Sequence, residues 1–80
     1  MSFIAIVHVC ATLASGILSC NAGVVTAAHQ PEVVEFHASL NDCLEKTTTV
    51  ERNIRQYFTT IPATLVWIEV VCRDMGGEQA

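Results

Sequence analysis

The sequence predicts a small α+β domain: an N-terminal β-hairpin, two amphipathic helices on one sheet face, and a C-terminal β-strand. Three observations carry that expectation. The stretch from Met1 to Pro31 holds no Lys, Arg, Asp or Glu and is dense in β-branched residues. From Gln30 to Ile61, apolar side chains recur at three- and four-residue steps. Thr64 to Cys72, TLVWIEVVC, is β-branched, aromatic and almost uniformly apolar, as a buried strand is.

Within the opening segment, Ser2 to Thr12 and Ile17 to Ala27 read as two strands, with Ala14-Ser15-Gly16 turning the chain between them. The same stretch has a competing reading as a signal peptide or membrane anchor. Ile17-Leu18-Ser19-Cys20 resembles a lipoprotein cleavage box, and Val25-Thr26-Ala27 places small residues where a signal peptidase cuts. Glu32, Glu35 and Asp42 precede the first base, Lys46, a flank that the positive-inside rule allows across a membrane. Against export, no Lys or Arg opens the chain, and His8, Gly16, Asn21 and Gly23 divide the apolar run.

Gln30-Pro31-Glu32 has the composition of a helix start, with Pro in the first turn and acids near the positive end of the dipole. Val33, Phe36 or His37, Leu40, and Cys43 or Leu44 continue it as a stripe. Thr47-Thr48-Thr49 is expected to end this first helix. Thr48 and Glu51 then form a capping box that opens a second, with Val50, Ile54, Tyr57, Phe58 and Ile61 inward. Pro62 stops it.

A lone strand leaves its backbone donors and acceptors unpaired. Thr64 to Cys72 therefore needs a neighbour, in the chain or in another subunit, and within the chain the opening segment alone supplies one. Without that segment, two helices and an orphan strand would remain. Export would require the last element to become a third helix, against its β-branched composition, so local and global preferences agree better when all the elements stay together. Residues 1–75 are thus expected to be a single α+β domain, with 76–80 a flexible polar tail around Gly76-Gly77.

Composition narrows the function classes. The 80 residues are 51% hydrophobic and 15% charged, which excludes disorder. The net charge is -4, and Lys46, Arg52, Arg55 and Arg73 form no run, so no nucleic-acid footprint is written here. A domain of this size buries only about 60% of its unfolded surface and is marginal without a staple or a partner. Two helices cover one face of a three-stranded sheet. The other face would stay apolar, which marks an interface. The expected contact residues are Trp67, Leu65 and Glu69 on that face, with Arg52 and Arg55 on the basic edge of the second helix.

Cys10, Cys20, Cys43 and Cys72 allow two disulfides in three pairings. Their wide spacing excludes a zinc ribbon or a CxxC redox motif, and their apolar surroundings suit buried free thiols. A Cys43–Cys72 bridge belongs to the export reading. His8 and Cys10 share a strand face, but no dense ligand motif joins them to His29 or His37, and no metal site is assigned. There is no HExxH, GxSxG, EF-hand or Gly-rich phosphate loop. Catalysis is not expected, and no catalytic residue or cofactor is assigned.

Lys46 to Met75, KTTTVERNIRQYFTTIPATLVWIEVVCRDM, resembles the helix-then-strand unit of the RidA/YjgF family, in a Thr six residues before Asn53-Ile54 and in the closing Arg73-Asp74-Met75. The loop after the helix is shorter than the family's. The later strands that carry the family's substrate-binding Arg are missing, as is its serine-glycine strand motif, so the resemblance implies no deaminase activity here.

The functional expectation is a small non-enzymatic interaction module, cytoplasmic, that binds a protein partner or self-associates through an apolar sheet face. The alternative is an exported or membrane-tethered protein whose opening segment is a signal peptide or anchor. A third reading is a ligand-binding or catalytic subunit whose site forms only between protomers.

Overall fold

A computed structural model describes residues 2–27 and 29–76. Along the chain run β1 (Phe3–Thr12), β2 (Leu18–Val24), β3 (Thr26–Ala27), β4 (Gln30–Val34), α1 (Leu40–Tyr57) and β5 (Thr64–Asp74). β1 is the central strand, antiparallel to β2 on one side and to β5 on the other. The uncharged opening segment therefore supplies the middle of the sheet, where a strand has no solvated edge and charges have no place. The chain turns between β1 and β2 through Gly16, whose φ of 89° is the left-handed conformation that favours glycine. Leu13 N–H donates to Ile17 O at 2.9 Å and Gly16 N–H to Leu13 O at 2.8 Å, closing the turn.

β2 ends where β1 still has backbone groups to satisfy on that side. Val25 N–H donates to Ala5 O, and the chain then makes the small β3–β4 excursion. It returns to the same edge at His37, which exchanges two hydrogen bonds with Phe3, at 2.8 and 2.9 Å. Lys46 Nζ lies 3.3 Å from Glu35 Oε1 and ties this return to α1.

Two helices were the expectation; among the described residues there is one, with five strands in two sheets. Gln30–Val34 is strand, and Val33 and Phe36 of the expected stripe are exposed. The helix starts at Ser39, an N-cap inside the expected first helix, whose hydroxyl accepts from Asp42 N–H at 3.1 Å. Nor does the threonine run end it. Thr47 and Thr48 hydroxyls donate back to Leu44 O at 2.7 and 3.3 Å, and Thr49 to Glu45 O at 3.3 Å. Back-bonding of this kind lets β-branched hydroxyl residues sit inside a helix, so Thr48 caps nothing. α1 ends at Tyr57, ahead of Pro62.

α1 packs on β5 and, less, on β1. The core lies beneath its first half, where Phe3, Ala5 and Cys43 meet Val25, Val70 and Cys72. A Cys43–Cys72 disulfide passes through it and fastens helix to strand. A second disulfide joins Cys10 to Cys20, directly opposite each other in the β1–β2 hairpin. All four cysteines are bridged, which corrects the free-thiol expectation. Cys43–Cys72 is the bridge that the export reading names, and Cys10 meets Cys20 once the hairpin takes its register. Of the 76–80 tail, Gly76 alone falls among the described residues, and its N–H donates to Asp74 Oδ1 at 2.8 Å.

Candidate functional site

Strand alternation sorts β1 into two faces. Phe3, Ala5, Val7, Val9 and Ala11 face α1; Ile4, Ile6, His8, Cys10 and Thr12 face the other way. The ladder then fixes which neighbours share that far face. From β2 they are Leu18, Cys20, Ala22 and Val24, and from β5 Trp67, Glu69, Val71 and Arg73. Leu18, Val24 and Trp67 are exposed there, Trp67 at 48%. The result is an apolar sheet face, buried at its Ile4 end and exposed around Leu18, Val24 and Trp67, with Glu69 and Arg73 along its β5 border.

At its centre the Cys10–Cys20 bridge, Ala22, His8 and Trp67 line an open depression of about 220 Å³. The His8 and Trp67 rings are tilted by 49° with centroids 6.4 Å apart. This hollow is smaller than the roughly 300–1,000 Å³ of small-molecule pockets.

Trp67 and Glu69 lie where the sequence places them, on the far face. Leu65 does not join them. A bulge in β5 sets Trp67 opposite Cys10 but Leu65 opposite Ala11, which turns Leu65 to the helix face, half-buried. The two arginines are elsewhere again. Arg52 and Arg55 line a groove along the solvent side of α1 with Thr48 and Glu51, and Arg55 Nε pairs with Glu51 Oε2 at 3.0 Å. They occupy the layer opposite the far face, so one flat partner surface does not touch both sets.

The β2 residues Leu18, Ala22 and Val24 were not singled out from sequence. The signal was present: a turn centred on Ser15 makes Cys10 and Cys20, equidistant from it, direct partners, and their neighbours follow. Among the described residues, no three His, Cys, Asp or Glu converge. Cys10 is committed to its bridge, so it offers no thiolate beside His8. No helix among the described residues is long and apolar enough to cross a membrane. Compared with models of known families, with curated proteins and with solved structures, the chain matches none.

Proposed function

We propose that the chain is a small non-enzymatic interaction module that binds a protein partner through its far sheet face. The composition of that face supports the reading most: Leu18, Val24 and Trp67 stand exposed around Ala22 and a disulfide, with the only helix among the described residues on the opposite side. Contiguous apolar surface of this kind marks an interaction site, and a Trp beside a shallow hollow is the side-chain type that dominates binding energy. The two disulfides support work in an oxidising compartment, because thiols are kept reduced in the cytosol.

The test compares capture of partners by the oxidised protein, by a Leu18→Lys/Val24→Lys variant and by Arg52→Ala. A partner held by the first and third and released by the second supports the reading. One released only by Arg52→Ala, or held equally by all three, overturns it. The disulfides also favour a second reading, export with residues 1–28 as leader or anchor. Cleavage there would remove β1, β2 and the Cys10–Cys20 bridge, so the intact mass of the protein recovered from its compartment separates the two.

A further inference from the structure

β5 is an edge strand, eleven residues long, paired only with β1 among the described residues. Long unprotected edges of this kind are templates for another strand. The ladder shows which of its backbone groups are free. Cys10 and Cys20 have Cα atoms 4.0 Å apart, the close spacing of a non-hydrogen-bonded pair. Cys10 and, by alternation, His8, Ile6 and Ile4 therefore direct N–H and C=O toward β5. Ala5 O, which accepts from Val25 N–H on the β2 side, fits the same alternation. On β5, Trp67, Glu69, Val71 and Arg73 are thus engaged with β1, while Ile68, Val70, Cys72 and Asp74 turn their backbone groups to the open edge.

We propose that two copies of the chain pair through this edge, β5 antiparallel to β5, about a two-fold axis at Val71. A two-fold pairing must match outward-turned residues with outward-turned residues, so the axis passes through a residue and not between two. At Val71 it sets Val70 against Cys72 and Ile68 against Asp74 of the second copy as hydrogen-bonded pairs. On the far face it sets Glu69 against Arg73 and Trp67 against Met75. Every far-face pair is then complementary: opposite charges, aromatic against thioether, Val against Val. Neither Glu69 nor Arg73 makes an ion pair within the described residues.

Neighbouring registers lack this match. An axis at Val70 leaves Glu69 against Val71, one at Glu69 opposes two carboxylates, and one at Cys72 sets Val71 against Arg73 and Glu69 against Met75. The helix flank agrees with the chosen edge. Lys46 reaches Glu35 on the β2 side. Leu40 and Leu44, more than about 100° around the helix from Lys46, project from the other flank, and are 48% and 46% exposed. Pairing along β5 brings these leucines toward their copies.

The edge pairing does not depend on what the far face binds, because Leu18 and Val24 lie on β2, across the sheet from β5. Sedimentation velocity of the oxidised protein over a wide concentration range reads it directly. The unaltered chain shifts from monomer to dimer. Glu69→Arg or Arg73→Glu alone weakens the dimer roughly tenfold, since symmetry turns each reversal into two like-charge pairs. The two reversals combined restore it, and Leu18→Lys leaves it unchanged. A chain monomeric at every concentration, a dimer indifferent to the single reversals, or a double variant no tighter than the singles overturns the proposal. A dimer dissolved only by Leu18→Lys also overturns it, while leaving the far face as a binding surface intact.

Discussion

Leu65 stands directly across from Ala11, although Trp67 stands across from Cys10, so β5 spends an extra residue where β1 spends none. That step separates two large side chains that plain alternation would put together. Leu65 turns to the helix face, half-buried, and Trp67 stays outside. The bulge thus lets one apolar strand serve a core and a surface at once.

The separation has a measurable signature. Leu65→Ala should destabilise the fold by about 1–2 kcal/mol through lost burial, and Trp67→Ala by less than about 1 kcal/mol. Denaturant unfolding of the two variants checks the order, and the reverse order would place Trp67, not Leu65, in the core.

The bridges should differ in weight. Cys43–Cys72 closes a sequence separation of 29 and Cys10–Cys20 one of 10. Chain-entropy arguments assign them roughly 3–4 and 2–3 kcal/mol. Cys43 is fully buried at 0% exposure, so Cys43→Ala/Cys72→Ala adds a packing loss that Cys10→Ala/Cys20→Ala does not. Unfolding curves insensitive to reductant would show that neither bridge forms.

Trp67, the single tryptophan, faces Cys10 across the ladder and borders its disulfide. Disulfides quench indole emission at contact. Cys10→Ala/Cys20→Ala should therefore brighten Trp67 fluorescence in the folded protein, and Cys43→Ala/Cys72→Ala should not. Equal emission from both variants would remove Trp67 from beside that bridge.

Two helix substitutions should act with opposite sign. Ser39→Ala removes the N-cap and should lower stability by ~0.5–2 kcal/mol. Thr48→Ala, exposed in mid-helix, should raise it by ~0.3–0.7 kcal/mol, since Ala is the better helix former. A loss with Thr48→Ala would restore the capping role that the sequence alone suggests for it. Thermal unfolding of both variants settles the signs.

Much of the sheet was legible. β-branched density marked β1, β2 and β5, and the need of an apolar strand for a neighbour tied β5 to the opening segment without choosing between its two strands. The helix boundaries were not, because Ser39–Asp42 and Thr48–Glu51 both look like caps, and only one position frees a segment to satisfy Phe3 from the side. His37 does that job, and nothing local in its sequence announces it. Of the residues expected at an interface, Trp67 and Glu69 lie on the far face that alternation gives them. Leu65 does not, since a bulge leaves no reliable trace in an unbroken apolar run. The arginines were placed by helical periodicity, which says that they face water but not on which layer the helix lies.

The position of β1 also sets an order of assembly. Its first partner, β2, follows at once, whereas its second is the last element among the described residues. During synthesis the hairpin can close early, but one flank of its uncharged first strand stays open until the Trp67 segment has left the ribosome. Late, long-range pairing of this sort slows folding and prolongs exposure to aggregation. A chain that stops short of Thr64 would keep that flank open for good, and should be found with chaperones or in the insoluble fraction.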